Sequence, residues 1–313
     1  MVRGHTFKIR YRECPRCSLQ GMSRYALQWT CFDAGMQDMD RECPLPGKAV
    51  GTRGDFMYGL VLEGGGSKGS YQIGACKALN ELGIGIGAVA GTSVGALNGA
   101  MVVQGDVDLA YEIWSEITPE SIIRMSGNEL EDCAGSGFLP GSLRTFIHKI
   151  KRIAAEGGLN VEPLVELARS TLNEDRIRRS PIGFGIVTVD VTARRAVEIY
   201  KEEIPEGQLP DYIIASASFP AFKRAVIDGR VFIDGAFYNN LPINMVSSRG
   251  YKDIIVLRTY GIGMRRRFDT SGLNIVTLSP SESLGPTLDF STETSRKNLK
   301  MGYNDAIRTF GKL

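Results

Sequence analysis

Apolar residues in this 313-residue chain gather into short runs that alternate with helically spaced stretches, and the alternation starts at Met57. Met57-Tyr-Gly-Leu-Val-Leu-Glu63 is an apolar run that stops at three glycines, the pattern of a buried parallel strand. From Ser70 to Leu82 the apolar positions Ile73, Cys76, Ala78, Leu79 and Leu82 recur at helical spacing until Gly83 ends them. Ile84–Ala90 is a second apolar run, and Ala96–Val103 a second helix start. Strand, turn and helix, repeated twice in close succession, predict a parallel α/β sheet.

The middle of the chain is more helical. Helices are expected over Asp108–Ile117 and over Asn160–Leu172, the latter with Pro163 in its first turn. Between them Leu143, Phe146, Ile147, Ile150 and Ile153 share one face, while Arg144, Lys149, Lys151 and Arg152 point elsewhere. That basic amphipathic helix reads as a surface helix packed on the core, with a helix lying on a membrane, or a lid, as the alternative. Strand patterns return at Ile182–Val189 and Ala196–Tyr200. A short helix spans Asp211–Ser218 and is stopped by Pro220. Ala225–Ile233 reads as a hairpin turning at Asp228-Gly229. Ile254–Leu257 and Ile275–Leu278 are further strands, and a helix from about Asp289 to Phe310 closes the pattern. The expected fold is one α/β domain over residues 57–313, with a parallel-rich central sheet and helices on both faces.

Residues 1–56 lack a sustained period of either kind and end in linker-like sequence from Pro44 to Gly54. They read as a poorly structured leader or an upstream extension, with Met57 as the native start. They also hold Cys14, Cys17, Cys31 and Cys43. Cys14-Pro-Arg-Cys17 is a C-x-x-C, and four thiolates could bind zinc, but Cys31 and Cys43 do not form a second close pair. No metal or organic cofactor is expected. The +2 net charge and the absence of a long basic run argue against a nucleic-acid partner. There is no signal-peptide pattern, so a cytoplasmic location is expected. The uncharged stretch Gly83–Gly105, with its Gly95/Gly99 pair, resembles a membrane helix, but its many glycines fit a buried strand, turn and helix better.

Two glycine-rich turns carry the candidate chemistry. Gly91-Thr-Ser93-Val-Gly95 fits G-x-S-x-G and lies between an apolar run and a helix start, so Ser93 would sit on a nucleophile elbow at a helix N-terminus. Gly64, Gly66 and Gly69 satisfy G-x-G-x-x-G after a strand, which is also a dinucleotide pattern. A ribose-binding acid is wanted at the end of the next strand, and that strand ends in Gly91-Thr92-Ser93. In the hydrolase reading, the Gly65 and Gly66 amides face a developing oxyanion. The chain has two histidines, His5 in the leader and His148 on the amphipathic helix; an α/β-hydrolase places its histidine after both the serine and the acid, and nothing after residue 148 qualifies. A carboxylate or a lysine must then serve as base. Asp234, ending the strand Val231–Ile233, is the best placed carboxylate; Asp190, ending Ile182–Val189, competes with it, and an ordinary hairpin turn is the bland account of Asp234.

The ordered set Gly64-Gly-Gly-Ser67-Lys68-Gly69, Gly91-Thr-Ser-Val-Gly95 and Asp234-Gly235-Ala236 resembles the patatin-like phospholipase family, in its bacterial form. Ala215-Ser-Ala-Ser-Phe-Pro220 is similar to the segment that precedes the aspartate in that family. The resemblance covers about Tyr58 to Arg249, leaving strands and a helix in 250–313. It implies a Ser93 nucleophile and an Asp234 proton acceptor, with Gly64 to Gly69 as oxyanion loop and Lys68 at the basic position of the family. It further implies a phospholipase A or broader carboxylic ester hydrolase in lipid degradation or remodelling, with a lipid or phospholipid substrate; the basic amphipathic helix offers peripheral membrane contact. A non-catalytic lipid-binding member and, less in keeping with Ser93, a dinucleotide-binding oxidoreductase are the alternatives. Glu63 stands where many members carry Asp, and little effect is expected from that.

Overall fold

The computed structural model describes residues 57–124, 152, 153 and 155–311. The cysteines at 14, 17, 31 and 43, both histidines and, apart from Arg152 and Ile153, the expected Leu143–Ile153 helix lie outside them.

Among the described residues, eight strands form one sheet. Its parallel part runs through β3 (Gly183–Asp190), β2 (Ile86–Thr92), β1 (Tyr58–Leu62), β7 (Asp253–Leu257) and β8 (Asn274–Leu278). The antiparallel strands β4 (Arg195–Tyr200), β5 (Ala225–Ile227) and β6 (Arg230–Asp234) complete the β3 side. Strand side chains alternate between faces. Leu60, Leu62, Val89, Ile186, Ile255 and Leu257 therefore join one core, while Val61, Ala88, Ala90, Val187, Ile254 and Val256 join another. Both faces are buried, as parallel strands require, and helices cover both, unequally. One face carries α1 (Gly69–Glu81), α2 (Val94–Gln104), α3 (Val107–Glu116) and α8 (Thr292–Phe310). The other is covered by the short α7 (Ile243–Ser247). α4 (Glu162–Thr171), α5 (Glu174–Arg179) and α6 (Leu209–Ser216) contribute to the same core as α1 to α3. Sequence patterning missed α5 and α7, each of which spans fewer than two helical turns and so shows little periodicity.

The glycine-rich stretch after Gly83 is used for close packing. A methyl group on Gly95 would lie 2.3 Å from the Leu62 carbonyl oxygen, and one on Gly99 would lie 3.0 Å from Val89 and Phe184. These two positions let α2 approach β1 and β2 more closely than a side chain permits. No helix among the described residues is long and apolar enough to cross a membrane.

The sheet register brings two distant segments end to end. β4 occupies one edge of β3 over Gly185–Asp190, so β2 and β6 must share the other edge. β2 runs along that edge until Thr92 faces Val187. β6 comes from the opposite direction and ends with Asp234 facing Thr188. The residue after Thr92 therefore meets the last residue of β6. In the chain they are 141 positions apart.

Candidate active site

Ser93 occupies the turn between β2 and α2 at φ 58°, ψ −128°, outside the regions that side-chain-bearing residues ordinarily adopt. The strain is tolerated because the turn is fixed from several sides. A methyl on Gly91 would lie 2.1 Å from the Gly95 carbonyl oxygen, so only glycine closes the turn this tightly. The Thr92 hydroxyl donates to the Asn239 carbonyl (2.8 Å), and the Ser93 amide donates to the Ser216 hydroxyl (2.9 Å). That hydroxyl in turn donates to the Val187 carbonyl (2.6 Å).

The Ser93 hydroxyl donates to Asp234 Oδ2 at 2.6 Å. The other carboxylate oxygen of Asp234 accepts the Ala236 amide at 2.8 Å, and the Asp234 amide donates to the Ser218 carbonyl. Gly235 is needed beside it, since a methyl there would lie 2.1 Å from the Val187 carbonyl oxygen. Asp234 is buried, and among the described residues it has no cationic partner. Burial raises its pKa to about 6, against the opposing pull of the hydrogen bonds from Ser93 and Ala236. A carboxylate held there is a stronger proton acceptor than an exposed aspartate. Asp190, the competing acid, is differently engaged: it pairs with Arg230 and accepts the Ala193 amide, so it closes the β3–β4 turn.

The first glycine loop lies against this pair. A methyl on Gly64 would come within 3.1 Å of Ser93 Cβ and 2.3 Å of Asn240 Oδ1. The Gly64 carbonyl is fixed by the Thr259 hydroxyl (2.8 Å) and by Asn240 Nδ2 (3.3 Å). In a trans peptide the N–H opposes the C=O, so this anchor turns the Gly65 amide away from Thr259. The Gly65 and Gly66 amides make no hydrogen bond among the described residues. Gly66 has φ 60°, and it lines the same cavity as Ser93. Ser67 is tied to Pro286 and Thr287, and Gly69 begins α1 under Val94. Lys68 is half-buried, its pKa lowered by that burial, and donates to the Tyr260 carbonyl at 3.4 Å.

Glu63, just before the glycines, holds the neighbouring segment in place. It is fully buried, and one carboxylate oxygen accepts from Arg258 Nε (2.9 Å), the Thr259 amide (2.8 Å) and the Tyr260 amide (2.9 Å). It thus fastens the segment that braces Gly64. Asn239 and Asn240 stand in the sequence simply as a polar pair after Asp234, and Ser216 as part of the Ala215–Pro220 segment. Thr259 gave no sequence signal, because its role depends on β7 lying beside β1.

Ser93 opens onto an apolar cavity walled by Leu97, Met101, Ile113, Trp114, Leu164, Leu167, Phe219 and Leu288 among others. Asn98 is its main polar wall residue, and its amide is already occupied by Gly69, Gln72 and Trp114. The site can therefore present a serine hydroxyl, a proton acceptor and free amides to one end of a long apolar chain. Among the described residues, no group of three or more His, Cys, Asp or Glu is placed to hold a metal ion.

Ser216 is a positioning residue in this arrangement. Ser216→Ala leaves the buried Ser93 amide without its acceptor, which costs on the order of 1–3 kcal/mol. We expect a roughly tenfold to hundredfold loss of kcat with little change in KM, read from steady-state kinetics on a protein of unchanged circular dichroism.

A family model described as patatin-like phospholipase matches residues 60–247. Patatin-like phospholipase domain-containing protein 7 of Rattus norvegicus is 28% identical over 202 residues, covering 63% of this chain and 13% of that protein. An uncharacterised NTE family protein of Mycobacterium tuberculosis is 27% identical over 186 residues, covering 59% of this chain and 44% of that one. The first of these relatives is thus much longer than the region it shares with this chain. Among solved structures, VipD from Legionella pneumophila superposes with a TM-score of 0.47 at 15% identity, over 82% of this chain and 67% of its own.

Proposed function

Because the chain belongs to the patatin-like phospholipase family, we propose that it is a serine acyl hydrolase that cleaves carboxylic ester bonds of lipids with a Ser93–Asp234 dyad. The observation that carries this reading is the 2.6 Å hydrogen bond from Ser93 to the buried Asp234 at the mouth of an apolar cavity. Ser93 Oγ attacks the ester carbonyl while its proton passes to Asp234. The Gly65 and Gly66 amides stabilise the oxyanion, and the α2 N-terminus adds to the favourable field. The C–O bond breaks, the alcohol leaves with the proton held by Asp234, and the acyl group stays on Ser93. Water then gives a proton to Asp234 and attacks the acyl carbon. The fatty acid departs and the proton returns to Ser93.

The cavity supports an acyl-chain site, since its walls are almost wholly hydrocarbon. The catalytic unit is residues 57–313, with 1–56 as a leader or upstream extension outside the chemistry. The protein works in the cytoplasm at a membrane surface. A series of monomeric p-nitrophenyl esters tests the substrate class. We expect kcat/KM to rise with chain length from acetate to octanoate, by roughly a factor of three per methylene pair or more, as apolar area enters the cavity. A flat or falling series would remove the acyl-chain site.

A further inference from the structure

The connection from β7 to β8, Arg258 to Leu273, has no regular secondary structure and runs along the rim of the site. Its first part is clamped against both catalytic segments. A methyl on Gly261 would lie 1.9 Å from the Gly64 carbonyl oxygen, and Asn240 Nδ2 donates to the Gly261 carbonyl at 3.4 Å. Met264 exchanges backbone hydrogen bonds with the segment that follows Asp234: its amide donates to the Ala236 carbonyl (2.8 Å), and its carbonyl accepts the Asn240 amide (2.6 Å). The loop therefore sits in register with the glycine loop on one side and with the Asp234–Phe237 turn on the other.

Its outer surface is unusual. Seven large apolar side chains are exposed among the described residues, and Phe237, Tyr260, Ile262 and Met264 account for four of them. Ile262 and Met264 are 56% and 64% exposed, so they contribute little to the core. A soluble surface seldom gathers such residues without a partner. Arg265, Arg266 and Arg267 follow at once, all exposed, and no acidic residue lies between Arg258 and Phe268. Arg265 lies 3.6 Å from the buried Glu63, Arg266 stacks on and donates to Tyr238, and Arg267 makes no ion pair or hydrogen bond among the described residues. Apolar side chains backed by a run of guanidinium groups match the chemistry of an anionic lipid interface, where the chains enter the hydrocarbon boundary and arginines meet phosphates.

We propose that Phe237, Tyr260, Ile262 and Met264, with Arg265 to Arg267, form the docking surface that seats this protein on a phospholipid bilayer bearing anionic headgroups. The surface rests on the reading of Ser93 as a lipid hydrolase only for its purpose, which is to hold the protein at the bilayer that contains its substrate. Attraction comes from the arginines and falls with salt; retention comes from the apolar side chains.

The test uses the full chain carrying Ser93→Ala, so that lipid is not consumed, in cosedimentation with phosphatidylcholine vesicles with and without phosphatidylglycerol. The expected result is preferential binding to the anionic vesicles, weakened by salt. Ile262→Ser with Met264→Ser, and separately Arg266→Glu with Arg267→Glu, should each reduce that binding at least about tenfold. With Ser93 intact, the same pairs should hydrolyse a short soluble ester within about twofold of the parent, showing that the site is folded. Equal binding to both vesicle types, or variants that bind as the parent does, would overturn the proposal, as would loss of binding only in variants that have also lost soluble-ester turnover. Self-association through this face with no vesicle binding would equally overturn it. A parent that binds anionic vesicles through these residues but hydrolyses no ester would instead refute the assignment of Ser93 and leave the docking surface standing.

Discussion

Ser93→Ala should lower ester hydrolysis about ten-thousandfold or more while leaving the fold intact. The hydroxyl is the atom that bonds to the acyl group, so no other group can carry the two-step reaction once it is gone. Water acting directly with Asp234 and the glycine amides would supply only the residual rate. The change is small in packing terms, because alanine keeps the Cβ that lies beside Gly64. Alanine must still adopt the φ of 58°, and the buried Asp234 carboxylate loses its hydroxyl donor, so stability should fall by on the order of 1–3 kcal/mol without loss of the fold. Matched thermal melts and steady-state kinetics check both halves. A Ser93→Ala protein with near-wild-type turnover would remove Ser93 from the chemistry.

Asp234→Asn should have the second largest effect, and it should act on rate and stability in opposite directions. As the proton acceptor, Asp234 must be ionised, so kcat/KM of the wild type should rise with pH and level off above about 6. Asparagine cannot take the proton, which costs roughly a hundredfold to ten-thousandfold, and the residual rate should lose that acidic limb. The stability argument follows from the same burial. Asp234 titrates at about 6 in the fold against 3.8 for an ordinary aspartate, so between those values the folded state retains a proton that the unfolded chain has released. Stability therefore falls as pH rises across that window and stays lower above it, by on the order of 3 kcal/mol. Asp234→Asn escapes this cost. Its melting temperature should exceed that of the wild type by several degrees at pH 8, with the gap closing toward pH 4. A variant less stable than the wild type at pH 8 would mean that Asp234 is held by favourable interactions and is not a strained base.

The sequence makes the parallel core legible because its signals are local. Each βα turn announces itself through an apolar run, a glycine and a new helical period, as at Glu63–Gly69 and Ala90–Gly95. The membrane-like stretch after Gly83 resolves correctly for the same reason, since its glycines are spaced for helix-on-strand contact. What the sequence hides is non-local. Thr259 braces Gly64 only because β7 pairs with β1, and Ser216 holds the Ser93 amide only because α6 ends over β3. The same register separates the two candidate acids. Along β3, Asp190 and Asp234 both close strand ends, but β6 delivers Asp234 to the end of β2, while Asp190 is taken up by Arg230. Glu63 is the buried anchor of the Arg258–Tyr260 segment, a role that depends on β7 lying beside β1.

Covalent trapping with a fluorophosphonate, followed by intact mass and peptide mapping, tests the Ser93–Asp234 account most directly. An activated serine in the elbow should give one adduct on the wild type, placed on Ser93, with no adduct on Ser93→Ala and labelling of Asp234→Asn slowed about a hundredfold or more. A probe that modifies a different serine, or that labels Asp234→Asn as fast as the wild type, would contradict it.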